Sequence, residues 1–251
     1  MTDIVRVERH DHVALIVMNR PQARNAMNVE LASATCDAIN ACQDARAIVL
    51  TGADPAFCAG LDLRSLGVTD LVALPPFNAT AAASKVPMIA AVNGPAVTGG
   101  FELALACDFI IASERAAFAD THVRVGVYPG PVLVDLPRRV GMAWARQMSM
   151  TGDFVDAATA LRIGLVNELV PHEALLPRAL QLASSIADQD PKMIAAMRED
   201  WDQSMGLPIA QAHEVHWNNS IAGGFRDAAS SDTLEANRAA VMERSKQQRG
   251  H

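Results

Sequence analysis

The chain has 251 residues, half of them apolar, which suits one large domain, or one domain carrying a helical appendage, with a sizeable core. Its 21 basic and 28 acidic residues leave a formal net charge of −7. That argues against a nucleic-acid surface, because phosphate binding needs clustered positive charge, but it leaves room for a local basic pocket. One Tyr and three Trp argue against an aromatic stacking platform for RNA or sugar.

The cysteines are Cys36, Cys42, Cys58 and Cys107. None forms a C-x-x-C pair and no His-rich segment lies nearby, so they are expected reduced and mostly buried, with no metal bound. Residues 1–10 alternate charged and apolar side chains without an apolar signal core, and no apolar run reaches membrane-spanning length. The expected location is the cytoplasm, with no membrane partner.

In chain order, residues 3–9 and 12–18 read as strands joined by a turn at Asp11-His12. Asn28 is a good N-cap for a helix over 29–43, in which Leu31, Thr35 and Ile39 recur at four-residue spacing. Apolar runs at 47–51, 88–92 and 108–112 read as buried strands, and a helix is expected to begin near Phe101 after Thr98-Gly99-Gly100. Strand and helix alternate without regular polar positions in the strands, which is the pattern of an α/β core. Beyond about residue 140 the chain reads as wholly helical, with segments at 172–188, 191–203, 207–222 and 231–246. The expected division is a core over 1–190 and a helical region over 191–251.

Two loops carry the chemistry. One is Phe57-Cys58-Ala59-Gly60-Leu61-Asp62-Leu63, after a buried strand; the other runs from Asn93 to Leu103 through Thr98-Gly99-Gly100. Glycine lets a backbone approach a ligand closely, and a helix N-terminus presents N–H groups that the helix itself does not use. Two such groups converging on one point make an oxyanion hole. By spacing alone, both loops are equally ordinary strand-to-loop turns. The dinucleotide pattern G-x-G-x-x-G is absent, and no Gly-Lys-Ser/Thr follows.

Taken together, these loops resemble the crotonase, or enoyl-CoA hydratase/isomerase, family. So do the segment Asn19–Asn28, the run Ala47–Gly52, the stretch Glu102–Asp108, and Leu161–Asn167 followed by Val170-Pro171. The similarity extends from about residue 4 to 245. The resemblance implies an α/β fold, a crotonase (ClpP-like) spiral of ββα units with a helical C-terminal trimerisation region, forming trimers or dimers of trimers. It implies an acyl-CoA thioester as substrate, with coenzyme A entering as part of it and no further cofactor. The thioester oxygen would accept from the N–H groups of Leu61 and Gly99. Ala23, Arg24, Ala26, Ala59, Gly60, Asp62, Leu63 and Arg64 would line the CoA channel, and Phe225 and Arg244 would meet CoA from the C-terminal region. Arg24 and Arg64 are phosphate contacts on this reading and solvated surface residues on the plainer one. Leu61, Leu63, Val132 and Leu133 suggest an apolar acyl site or simply core.

Family hydratases hold a water between two glutamates. Glu102 matches the first; its plainer reading is a carboxylate favoured by a helix N-terminus. At the second position stands His122, open to readings as proton carrier, polar pocket wall or structural residue. A Glu102–His122 ion pair is expected on the first of these, with Asp120 facing away if the segment is extended. The segment Pro129–Pro137 lacks the family's glycines after Pro-Gly and is one residue short. Three activities follow: hydration of a 2-enoyl-CoA with an atypical Glu/His pair, Δ3,Δ2-enoyl-CoA isomerisation, and acyl-CoA binding without catalysis.

Overall fold

The computed structural model describes residues 3–64 and 74–225, and beyond these only positions 235, 237, 238, 241, 242 and 245. The chain forms two compact units, Met1–Asp188 and Gln189–His251.

The first unit is built on a six-stranded sheet in the order β1-β2-β3-β4-β6-β9. Strands β1 (Val5–His10) and β2 (Val13–Met18) form an antiparallel hairpin, turned at Asp11 with φ 51°. From β2 onward every pairing is parallel, through β3 (Ala47–Gly52), β4 (Met88–Val92), β6 (Phe109–Ser113) and β9 (Glu168–Val170). Parallel strands covered on both faces read as unbroken apolar runs, and β2, β3 and β4 are buried at every position. Side chains alternate between two cores. Ala14, Ile16, Ile48, Leu50, Met88, Ala90 and Ile110 face one, with helix α1 (Val29–Ala41) contributing Leu31 and Ile39. Val13, Leu15, Val17, Val49, Ile89, Ala91 and Ile111 face the other. That second core is closed by a later helix, Leu175–Ala187, whose Ala179, Ala183 and Ala187 form a small-residue stripe against the sheet. As the sequence implies, Asn28 caps α1: its side-chain oxygen accepts from the Leu31 amide at 2.9 Å.

The parallel strands deliver their connections to one edge, the C-terminal end of the sheet, where ligands of open α/β sheets characteristically bind. From β2 comes the Asn19–Asn28 segment, from β3 the loop 53–60, and from β4 the loop 93–98. There a second sheet forms from three short strands, β5 (Pro95–Val97), β7 (Ala117–Ala119) and β8 (Val155–Asp156), in the order β5-β7-β8. Helix α2 (Phe77–Ala82) packs on α3 (Gly99–Leu105), which in turn packs on β5, and α4 (His122–Val125) follows β7. The next helix, α5 (Val132–Thr151), contains Pro137 and is kinked at Gly141 (φ 76°), followed by α6 (Ala157–Arg162) and α7 (Leu175–Ala187).

The region past residue 140 is therefore not wholly helical. Strands β8 and β9 interrupt it, and at two and three residues neither is long enough to show a period. The expected pocket-shaping loop 129–137 is also shorter than it reads, because helix begins at Val132.

In the second unit α8 (Pro191–Ser204) packs on α9 (Ile209–Ala222). Asp200 joins them, accepting from Asn219 Nδ2 at 2.9 Å and meeting His216 Nδ1 at 2.7 Å. Most of the expected helix over 231–246, Arg244 included, lies outside the described residues. No described helix is long and apolar enough to cross a membrane. All four cysteines are free and buried, and burial pushes the Cys58 and Cys107 thiols up to about 12.

Candidate active site

Three segments from the sheet edge are stitched together by main-chain hydrogen bonds. Met27 bridges Leu61: the Met27 amide donates to Gly60 O at 2.7 Å, and the Asp62 amide donates to Met27 O at 2.8 Å. Cys58 bridges Ala96 in the same way, through Cys58 N–H to Pro95 O at 3.1 Å and Val97 N–H to Cys58 O at 3.0 Å. In such a pairing the amides of successive residues point to opposite sides, so the Leu61 amide points away from Met27. Among the described residues it has no acceptor. Nor has the Gly99 amide, which opens α3 ahead of the helix's own hydrogen bonds. The two segments touch closely: a Cβ at Gly100 would stand 2.3 Å from Cys58 O, and one at Gly99 would stand 3.6 Å from Leu61 Cδ2. The two free amides that sequence reasoning singled out thus lie on adjoining, tightly packed loops.

Thr98 sets the approach to Gly99. Its φ of 50° and ψ of −116° lie where a β-branched residue is strained, at a cost of roughly 1–3 kcal/mol. Two bonds hold it there. Its amide donates to Ala119 O at 2.9 Å, and its hydroxyl lies 2.9 Å from that of Thr121, the residue before α4.

Asn25 fixes the remaining segment. Fully buried, it donates from Nδ2 to Ala53 O at 2.8 Å and Ala56 O at 2.7 Å, while its Oδ1 accepts from the Arg20 amide at 2.9 Å. It therefore ties the loop after β2 to the loop after β3. Against these loops lies a groove of about 790 Å³, lined by Arg20, Gln22, Ala23, Arg24, Ala26, Ala59, Leu61, Asp62, Leu63 and Arg64. Of the expected channel residues in this part of the chain, only Gly60 is missing from the lining. Asp62 is held by Arg20, whose Nη1 donates to Oδ2 at 2.6 Å, whereas Arg24 and Arg64 are exposed. Phe225 belongs to the second unit, in a small apolar pocket with Met193, Met197 and Asp200. Of the four residues suggested for an acyl site, Val132 is buried, Leu61 half-buried, and Leu63 and Leu133 exposed.

The two residues expected to carry acid–base chemistry, Glu102 and His122, lie deeper and do not line that groove. Glu102 is 6% exposed and His122 5%. The Glu102 carboxylate has three donors around it. Asn78 Nδ2 donates to Oε2 at 3.1 Å, the Val132 amide donates to Oε1 at 3.3 Å, and the Gly130 amide adds a third. Residue 130 comes so close that a Cβ there would stand 2.9 Å from Oε1. Burial raises the Glu102 carboxyl above its ordinary range, opposed by the charge of His122 and by the Val132 and Gly130 amides, and reinforced by Asp120.

The ion partner of His122 is Asp120, not Glu102: Nδ1 and Asp120 Oδ1 are 2.6 Å apart, and Asp120 is wholly buried. The expectation that Asp120 faces away fails on strand geometry itself, since residues two apart share a face, and here β7 ends at Ala119 before the chain turns into α4. Burial works against ionisation of Asp120, but the hydrogen bond and charge of His122 help to outweigh it and the carboxyl is held below its ordinary range. A carboxylate on Nδ1 fixes the imidazole with its proton on that nitrogen and leaves Nε2 without a partner among the described residues.

A family model described as Enoyl-CoA hydratase/isomerase matches residues 8–248. The chain belongs to the enoyl-CoA hydratase/isomerase family. A probable enoyl-CoA hydratase from Rhizobium meliloti (strain 1021) is 41% identical over 215 residues, covering 82% of this chain and 83% of that protein. The crystal structure of an enoyl-CoA hydratase from Mycobacterium avium is 42% identical, with a TM-score of 0.74 over 90% of this chain and 98% of that one. The enoyl-CoA hydratase from Bacillus anthracis is 27% identical with a TM-score of 0.86, covering 96% and 97%. The fold is the crotonase fold that these relatives share.

Proposed function

We propose that this crotonase-family chain is an enoyl-CoA hydratase that adds water across the 2,3 double bond of a 2-enoyl-CoA. The observation that carries this reading is a buried carboxyl and a buried, carboxylate-held imidazole beside two loops with free amides. Glu102 takes a proton from water as its oxygen bonds to C3. Electron density moves to the thioester oxygen, which the Leu61 and Gly99 amides receive. Losing one such donor costs roughly 3–4 kcal/mol of transition-state stabilisation. His122 delivers the proton to C2 from Nε2, and the Asp120 carboxylate offsets the charge of the imidazolium. A raised Glu102 pKa suits a base working near neutral pH. The turnover ends with Glu102 protonated and His122 neutral, so a proton passes back before the next.

Coenzyme A, on this reading, lies in the groove, with Arg24 and Arg64 available to its phosphates, and needs no other cofactor. The second unit supplies subunit contacts in a trimer or a pair of trimers. Support comes from its exposed Trp201, Ile209, Trp217 and Ile221. Sedimentation of the purified protein measures that state.

A second reading, Δ3,Δ2-enoyl-CoA isomerisation, draws on the Asp120–His122 pairing, which leaves Glu102 as the one carboxyl carrying no ion pair with the imidazole. The test follows conjugated-enoyl absorbance with a 2-enoyl-CoA and separately with a 3-enoyl-CoA. Loss from the first is expected. Gain from the second alone identifies an isomerase, and saturable binding without change in either identifies a binder. In the hydratase, His122→Ala should lower kcat by about 100-fold or more while KM stays within a few-fold; unchanged turnover would reduce His122 to a pocket wall.

A further inference from the structure

Asn78 is the side chain on Glu102 that no motif announces. It is the second residue of α2, which packs against α1 and α3 and is anchored by the buried Phe77. The ring of Phe77 reaches within 3.4 Å of the Cβ position at Gly99, so α2 sits beside the same loop that carries the free amide. From there Asn78 Nδ2 donates to Glu102 Oε2 at 3.1 Å. The other end of the amide, Oδ1, is buried with no hydrogen-bond partner. A carboxylate accepts hydrogen bonds only, whereas a carboxylic acid carries an O–H that needs an acceptor. A primary amide presents either, and a half-turn about its last torsion exchanges them.

We infer that Asn78 is a positioning residue that pairs with both protonation states of Glu102: through Nδ2–H with the carboxylate and, turned over, through Oδ1 with the acid. This deepens the hydratase reading and rests on it, since only a Glu102 that cycles between the two states makes use of both ends. The idle Oδ1 is then the acceptor held ready for the protonated half of the cycle. Of the groups whose hydrogen bonds reach Glu102, the Val132 and Gly130 amides only donate, so Asn78 Oδ1 is the unengaged acceptor already attached to that contact. Turning the amide over moves a proton's partner without moving a backbone atom.

The experiment titrates the Glu102 carboxyl stretch by infrared difference spectroscopy in the full-length protein, with the band assigned by its absence in Glu102→Gln. The pH profile of kcat for a 2-enoyl-CoA is measured beside it. Asn78→Asp offers a like charge and should move the band midpoint, and the acid limb of kcat with it, upward by about one unit or more. Asn78→Leu removes a partner from both states. It should shift the midpoint clearly less than Asp does, yet lower kcat about tenfold with KM within about threefold. A midpoint unmoved in folded Asn78→Asp overturns the inference. So does a Leu shift as large as the Asp shift, because pairing would then serve the carboxylate alone. Wild-type protein that hydrates no enoyl-CoA, with the midpoint still moving as expected, sinks the hydratase reading and leaves the pairing standing.

Discussion

At the level of single residues, Glu102 sets function against stability. Its carboxyl is raised by burial above its ordinary value of 4.5, so the folded protein holds that proton more tightly than the unfolded chain does. Its contribution to stability is greatest below 4.5 and is lost as the pH climbs through the raised folded value. As the pH rises above that folded value, the ionised, buried carboxylate costs free energy that an amide would not. Glu102→Gln is therefore expected to raise Tm at pH 7 and to show little gain near pH 4, while abolishing most turnover; calorimetry at the two pH values checks the sign. Asp120 runs the opposite way. Its depressed carboxyl supports the fold above the unfolded value and withdraws that support as acid protonates it. Glu102 and His122 were both legible in the sequence, by their place in the family's motifs. Asn78, Asp120 and Thr98 were not. Asn78 acts across a long sequence separation with no neighbouring signature. Asp120 was read as facing away, although residues two apart share a face of a strand, and the strand itself stops at Ala119. The strain at Thr98 is a property of φ and ψ that composition does not display.

Among the elements, the decisive contact is that between the loop ending at Leu61 and the turn into α3. Cys58 O lies where a Cβ at residue 100 would go, at 2.3 Å, and Cys58 is held in place by its bridge to Ala96, four residues before Gly100. Gly100→Ala is expected to force the segments apart, at a cost of about 2–3 kcal/mol in stability and with a larger loss in kcat/KM than that cost alone explains. Chemical denaturation beside steady-state kinetics separates the two. The elements legible from sequence were those with a long unbroken run, a helical period or a cap: β1 to β4, β6, α1, α3 and α7 to α9. The second sheet was invisible because β5 and β7 have three residues each and β8 two, too few for any period to emerge. The start of α5 at Val132 was hidden by Pro131 and Pro137, which read as loop.

Across the molecule, the two faces of the main sheet have different duties. One side, with α1, α2 and α3, leads to the acid–base residues; the other is closed by α7 through Ala179, Ala183 and Ala187. Filling that stripe should disturb packing without touching chemistry. Ala183→Leu is expected to destabilise the fold by roughly 1–3 kcal/mol while leaving kcat and KM at wild-type values below the melting range; a matched change in kcat would show that the two faces are not independent. The sheet's parallel strands finish along one edge, and the participants in the proposed reaction hang from that shelf on separate tethers, Leu61 after β3, Gly99 and Glu102 after β4, and His122 after β6. A scaffold of this kind can trade its chemistry piecemeal, since altering one tether changes only the participants it carries and leaves the shelf where it was. Proteins that share the shelf are free to part company in acid, in base or in the acyl group they accept, and a histidine where the family resemblance would put a second glutamate is what such a divergence looks like from within.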